Sequence, residues 1–407
     1  MVQIANTIDS LHLKIYTHHM IPRILAGKIV QWSREYPVVT VTGPRQSGKS
    51  TLCKALFPDK PYVSLEESSL RLQATEDPRG FLARYPDGAI LDEIQRVPEL
   101  SSYIQTIVDS RDKPGMFILT GSQQFELMAG VSQSLAGRTA IARLLPFSYQ
   151  ELYSTGSAPD LSTMLYAGFY PRIHDKKLNP SEAMSFYFST YVERDLRQIL
   201  QVRDLSNFER FMRLLAGRNG QILNASSLAG ECGISHGTVR GWISVLQQSS
   251  LVYLLQPYYR NLGKRLVKSP KLYFLDTGLL CWLLNIFSPE HLDTHPLRGA
   301  IFEAYVVTEF LKSLYNRGKP DTLLYFRDQK GHEVDLLSET LPETLLCEIK
   351  SSATFHPDFL EGMNYVETLL AQPAQPVKKR LIMGTLDEPY WFKDTQVLGY
   401  SMTGDVQ

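Results

Sequence analysis

The sequence predicts an α/β chain: a largely parallel sheet with helices on both faces, then a helical middle, then a smaller mixed α/β region. Three observations predict it. From about residue 36 to 146, the apolar runs PVVTVTG, YVSLEE, AILDE, MFILTGS and TAIARLLPFS alternate with helical patterns. Continuous apolar runs of this length suit strands covered on both faces. From about 205 to 275 three short helical patterns precede a β-rich piece, and after about 296 the order is helix, strand, turn, strand and mixed α/β. The predicted segments are therefore 1–35, with a lead-in helix in MIPRILAGKIVQWSREY; 36–146, the sheet; 147–204, a helical linker or lid; 205–278; and 296–407. The connectors STGSAPD and SPEHLDTHPLRG supply the turn-forming residues expected at such breaks.

Bulk properties bound the function. The 407 residues suffice for two to four domains with substantial cores. Hydrophobic residues make up 43% and charged residues 21%, with a formal net charge of zero. Attraction to nucleic acid must then come from a local basic patch. Cys53, Cys232, Cys281 and Cys347 are scattered without metal-ligand spacing, and the nine histidines form no ligand pattern. They are expected to be reduced and mostly buried, without a structural zinc. The greasiest run, LLCWLLNIF at 279–287, falls well short of the roughly 20 residues a bilayer requires. No membrane contact and a cytoplasmic location are expected.

The stretch VVTVTGPRQSGKST carries the clearest chemistry. Gly43, four residues, Gly48, Lys49 and Ser50 have the P-loop spacing, after a strand and before the helical run KSTLCKALF. Glycines let the backbone close around phosphate oxygens, and N–H groups at the helix start point at the anion. Gly43, Pro44, Arg45, Gln46, Ser47, Gly48, Lys49, Ser50 and Thr51 are thus expected to cradle a nucleoside triphosphate, with Lys49 on the β/γ-phosphates and the Ser50 hydroxyl on Mg²⁺. GAILDEIQ is an apolar strand ending in Asp92 and Glu93. Asp92 would hold Mg²⁺ and Glu93 would polarise an attacking water. MFILTGSQQ ends a third strand, where Ser122 or Thr120 would sense the γ-phosphate. In SLAGRTA, Arg138 offers a guanidinium for transition-state charge, from its own subunit or from a neighbour in a homo-oligomer; an exposed arginine without that role fits equally.

Together, GPRQSGKSTL, ILDEIQRVPEL, ILTGSQQ, SLAGR and LLPFSYQEL resemble prokaryotic AAA+-type ATPases whose C-terminal part is a domain of unknown function, number 4143. LAGRNGQILNASSLA and KLYFLDTGL fit the same family, so the resemblance covers most of the chain. It implies ATP binding and hydrolysis.

The middle reads as a winged helix. SNFERFMRLLAGRNG, NASSLAGECG and SHGTVRGWISVLQQSS form three helices, with Leu228, Ala229, Val239, Trp242, Ile243 and Leu246 as one core and Gly233 in the turn. LVYLLQPYY and KLYFLD read as the wing strands. Two roles suit these residues. In DNA binding, Ser235, His236, Thr238 and Arg240 would face a groove while Arg260, Lys264, Arg265, Lys268 and Lys271 meet phosphates. In the other, the module serves protein or inter-domain contacts.

The last motif is HEVDLLSETLPETLLCEIK. VDLL and LLCEIK alternate as paired strands, with Pro342 in the connection. Residues i and i+2 of a strand share a face, so Glu348 and Lys350 project together, and Asp335 joins them if it lies across the hairpin. The amphipathic helix RGAIFEAYVVTEFLK adds Glu303. A helix acid, then D, a hairpin and E-x-K resembles the PD-(D/E)XK nuclease core of a restriction-endonuclease-like domain. The resemblance implies a second Mg²⁺ on Asp335 and Glu348, with Glu303 assisting and Lys350 steadying the nucleophilic water. A retained fold without activity and an ordinary solvated hairpin are the alternatives. Two ionised carboxylates about 4 Å apart repel by roughly 4 kcal/mol at an effective dielectric near 20. Meeting acids would therefore require a cation or a raised pKa.

Overall fold

A computed structural model describes residues 20–405, apart from 112, 123–133, 155, 191–204, 259–267, 341–342, 371–375 and 387. The chain forms two compact units, one of residues up to 147 with 315–319, the other of 148–314 and the residues from 320 onward.

In the first unit, helix α1 (Ala26–Glu35) leads into β1 (Val38–Thr42). There follow α2 (Lys49–Leu56), β2 (Tyr62–Ser64), α3 (Ser68–Glu76), α4 (Pro78–Ala83), β3 (Ile90–Asp92), α5 (Leu100–Arg111), β4 (Phe117–Gly121) and β5 (Thr139–Arg143). All five strands are parallel, in the order β2-β3-β4-β1-β5. The sheet is covered on both sides, which is why its strands read as unbroken apolar runs. Val38, Leu91 and Leu119 pack with Ile104 and Val108 in one cluster. Val39, Val41, Ile90 and Ile118 pack with Ile29 and Leu52 in another. Because β4 lies between β1 and β3, the chain leaves β1 at a switch in strand order, where parallel sheets open a ligand crevice at their carboxyl edge.

The second unit begins with four short helices, α6 (Tyr149–Tyr153), α7 (Leu161–Ala167), α8 (Pro171–Lys176) and α9 (Pro180–Tyr187). The helical pattern expected to run on through 200 enters residues outside the described ones. Next come α10 (Leu205–Ala216), α11 (Ala225–Cys232) and α12 (His236–Gln248), then β6 (Val252–Pro257) antiparallel to β7 (Lys271–Phe274). Asn224 and Ser235 cap α11 and α12 through their side chains. Between the helices Gly233 takes φ 68°, a left-handed value that glycine adopts without a Cβ penalty. Trp242 of α12 is packed edge-on by Phe208 and Phe211 of α10 at 5.1 and 5.0 Å.

The remainder adds α13 (Thr277–Leu283), α14 (Pro289–Thr294), α15 (Arg298–Asn316), β8 (Leu323–Arg327), β9 (Glu333–Thr340), β10 (Glu343–Lys350), α16 (Glu361–Leu370), β11 (Val377–Met383), β12 (Tyr390–Phe392) and β13 (Thr395–Gly399). Its strands do not form a separate sheet. Gln256 and Pro257 of β6 pair in parallel with Leu324 and Tyr325 of β8. One eight-stranded sheet results, in the order β12-β13-β11-β10-β9-β8-β6-β7. Strand pairing thus runs straight across the break that the sequence suggests between 278 and 296. Among the described residues, all four cysteines are free and buried, and no helix is long and apolar enough to cross a membrane.

Candidate functional site

The loop after β1 is built for close approach. Gly43 has φ 150°, and a Cβ there would stand 2.0 Å from the Leu144 carbonyl oxygen. Gly48 has φ 91° and starts α2. Lys49 lies buried, with Nζ donating to the carbonyls of Gly43 at 2.9 Å and Pro44 at 2.8 Å. Burial lowers its pKa against the pull of Glu93 and Asp92. Ser50 Oγ donates to both carboxylate oxygens of Asp92, at 3.0 and 2.9 Å. Within the cradle, Ser47 Oγ is buried without a hydrogen-bond partner. Arg45 is half-buried beside Glu66 at 3.6 Å, while Gln46 (φ 62°) and Thr51 are exposed.

Strands β3 and β4 bring the acids to this loop. Asp92 also accepts from Tyr62 on β2 and Thr120 on β4. The Tyr62 phenol is raised by burial and by that bond. Glu93 takes a left-handed φ of 55° just past β3 and accepts from Ser122 Oγ at 3.0 Å and from Gln95. Arg138 stands apart from Asp92 and Glu93 of its own chain. Its guanidinium binds both Asp109 oxygens, at 2.5 and 2.8 Å, and the Ala136 carbonyl, so it does not touch Lys49, Asp92 or Glu93. Sequence reading missed Tyr62, Gln95 and Arg23. The buried Arg23 guanidinium donates to the carbonyls of Ser47 at 2.8 Å and Leu145 at 2.5 Å, tying the loop to the chain beyond β5.

These groups fit Mg-ATP. The cradle excludes a Cβ at Gly43, its buried ammonium is satisfied by carbonyls, and a hydroxyl–carboxylate pair of the kind that shares a hard cation is already in contact.

The second cluster lies in the second unit. Leu336 pairs with Cys347, so one step further along the same register Asp335 stands beside Glu348. Asp335 Oδ2 accepts from the Ile349 N–H at 2.9 Å. Glu348 Oε1 meets Lys350 Nζ at 2.5 Å, while its Oε2 is buried without a partner. Burial, then the Asp335 charge, pushes Glu348 up to about 8. Glu303, on α15, is also raised by burial, against the pull of Lys271.

Lys271 is the correction here. The sequence places it with solvent-facing phosphate contacts, but its side chain is only 4% exposed. Its Nζ stands 3.0 Å from Glu303, 2.6 Å from Glu333 and 3.5 Å from Asp335. Tyr273 donates to the same Glu303 oxygen at 2.6 Å. Burial opposes the Lys271 charge, yet Tyr273 and the acids outweigh it and raise its pKa well above the usual lysine value. The expected second Mg²⁺ does not fit this arrangement. A divalent ion about 3 Å from that ammonium would be repelled by on the order of 10 kcal/mol at an effective dielectric near 20. Among the described residues, no group of three His, Cys, Asp or Glu is placed to hold a metal ion.

Of the residues assigned to a DNA groove, His236 and Arg240 are exposed on α12, and Lys268 is exposed before β7. Ser235 is spent as the α12 cap, and Thr238 is its partner. Arg260, Lys264 and Arg265 lie outside the described residues.

Comparison with known proteins agrees with the motif reading. Residues 35–153 match the AAA domain family AAA_14, 158–290 match a domain of unknown function (DUF8612), and 298–402 match the domain of unknown function DUF4143. "Uncharacterized protein Rv2008c" of Mycobacterium tuberculosis is 31% identical over 334 residues, 82% of this chain and 74% of the relative. "Uncharacterized protein Mb2031c" of Mycobacterium bovis matches to the same extent. Among solved structures, the Walker-type ATPase PABY2304 of Pyrococcus abyssi aligns at 15% identity and a TM-score of 0.44, over 65% of this chain and 96% of that one. With its phosphate loop, its AAA domain and its C-terminal match all in place, the chain belongs to the family of P-loop AAA-type ATPases that carry a DUF4143 domain.

Proposed function

We propose that this protein is a Mg²⁺-dependent ATPase acting on DNA through a winged helix formed by α10–α12 with β6 and β7. The observation that carries the ATPase reading is the Ser50–Asp92 contact beside buried Lys49. Gly43 through Thr51 would surround the triphosphate, with Lys49 on the β/γ-phosphates. Ser50 and Asp92 would hold Mg²⁺, which supplies charge neutralisation between the phosphates when bound. Glu93 is oriented by Ser122 and Gln95 and takes the role of polarising water. Exposed His236 and Arg240 support the DNA reading, as does a groove of about 620 Å³ lined by both together with Asn224 and Ser269. A second reading is an ATP-dependent switch or regulator whose nuclease-like domain does not cut. The Lys271 ammonium among the C-terminal acids favours it on the cleavage question.

The test is phosphate release from Mg-ATP with and without single- and double-stranded DNA, with the DNA inspected for cuts in the same tubes. DNA-stimulated turnover that weakens with salt and with Arg240→Ala is expected, on intact DNA. Turnover indifferent to DNA would turn the assignment towards the switch. No turnover at all would remove the ATPase.

A further inference from the structure

Four carboxylates meet on the face shared by β9, β10 and α15: Glu303, Glu333, Asp335 and Glu348. Three cations answer them. Lys350 pairs with Glu348, Arg327 with Glu333 at 3.0 Å, and Lys271 reaches Glu303, Glu333 and Asp335 at once. Lys350 comes from β10, beside the acid it pairs with, and Arg327 from the end of β8, next to β9. Lys271 comes from β7, separated from β9 by β6 and β8, and its Nζ lies over the Tyr325 ring, 5.6 Å from the centroid. An ammonium so enclosed has given up water for carboxylate oxygens, which is stable only when several acids compensate it. The converse holds for the acids: without Lys271, Glu303 and Asp335 would lose the ammonium they share, and only Glu333 would keep its partner, Arg327.

We propose that Lys271 is the resident cation of this acidic cluster, standing where these acids would otherwise gather a divalent metal and fastening β7 to α15 and β9. Wild-type protein then holds no divalent ion on Asp335, and removing the ammonium creates a site for a hard, oxygen-seeking cation. As placed around the ammonium, no three of these acids are set to hold a metal ion, so Asp335 and Glu303 would have to close into the space that Lys271 leaves to become ligands, together with Glu348, whose Oε2 is buried and already without a partner. The inference stands apart from the ATP site, because these residues belong to the other unit.

The test is Mn²⁺ titration of the nucleotide-free full-length chain, followed by the electron paramagnetic resonance of free Mn²⁺. Wild type and Asp335→Asn should bind Mn²⁺ alike. Lys271→Gln should gain one site, at least tenfold tighter than any that wild type shows in this unit, and Lys271→Gln/Asp335→Asn should lose it. A wild-type site that Asp335→Asn abolishes would overturn the proposal, as would a folded Lys271→Gln protein that binds no additional ion. If Lys271→Gln does not fold by circular dichroism, Lys271→Gln/Glu303→Gln removes one acid along with the cation, leaves Asp335 and Glu348, and carries the same titration. The comparison of wild type with Asp335→Asn decides the first point whichever variant is soluble.

Discussion

Lys49 is a buried ammonium whose two hydrogen-bond acceptors are carbonyls of its own loop. Those bonds satisfy the charge without neutralising it, so an anion entering the loop gains a full Coulomb partner in a low-dielectric site. Lys49→Ala should lower nucleotide affinity or turnover by at least about 100-fold, a loss typical of removing one preorganised donor. Glu93 sits one residue past Asp92 and hydrogen-bonds to neither Ser50 nor Lys49, being held by Ser122 and Gln95, which suits the separate role proposed for it. Glu93→Gln should therefore bind fluorescent ATP within about threefold of wild type while turnover falls by ~10²–10⁴. Equal loss of binding in the two variants would show that Glu93 belongs to the cradle. The cradle was readable from sequence because Gly43 to Thr51 is one contiguous segment, fixed by local backbone rules. Tyr62 was not readable: its bond to Asp92 depends on β2 lying beside β3, which no local pattern encodes.

Among the elements, the β9–β10 hairpin shows the same division. Strand alternation placed Glu348 and Lys350 on one face, and antiparallel register brought Asp335 beside them. Lys271 escaped because its sequence neighbours Lys264, Arg265 and Lys268 are basic and suggested a solvated run, whereas its partners arrive from strands and a helix distant in sequence. The hairpin also carries a pH signature. Glu348 titrates near 8 in the fold against about 4.5 when unfolded, through burial and then Asp335. Between those values the folded chain holds a proton that the unfolded chain has released. The contribution to stability is therefore complete below about pH 4.5 and is lost as pH rises through 8. Glu348→Gln keeps the size and can still accept from Lys350, but it cannot ionise. The variant and wild type should differ little near pH 5. Above pH 8 the variant should be the more stable, by on the order of 2 kcal/mol in denaturant melts. A difference that is constant with pH would mean that Glu348 is ionised throughout.

At the scale of the whole molecule, each unit has apolar clusters of its own among the described residues: a pair around the parallel sheet in the first, and one around Phe326, Leu337, Leu346 and Leu381 under the mixed sheet in the second. The nucleotide loop lies wholly in the first unit and the Lys271 cluster wholly in the second. A ligand that binds only folded protein stabilises whatever cooperative unit contains its site, by about 2.7 kcal/mol at a concentration 100 times its Kd. For a unit of this size that corresponds to a shift of roughly 5–10 °C in Tm. Calorimetry of the full chain should thus show two transitions. ATP with Mg²⁺ should raise one by that amount and leave the other in place, and Lys49→Ala should abolish the shift. Glu348→Gln at pH 9 should raise the complementary transition and spare the ATP-responsive one. The two perturbations assign each peak independently, so a single transition moved by both would show that the chain unfolds as one cooperative body.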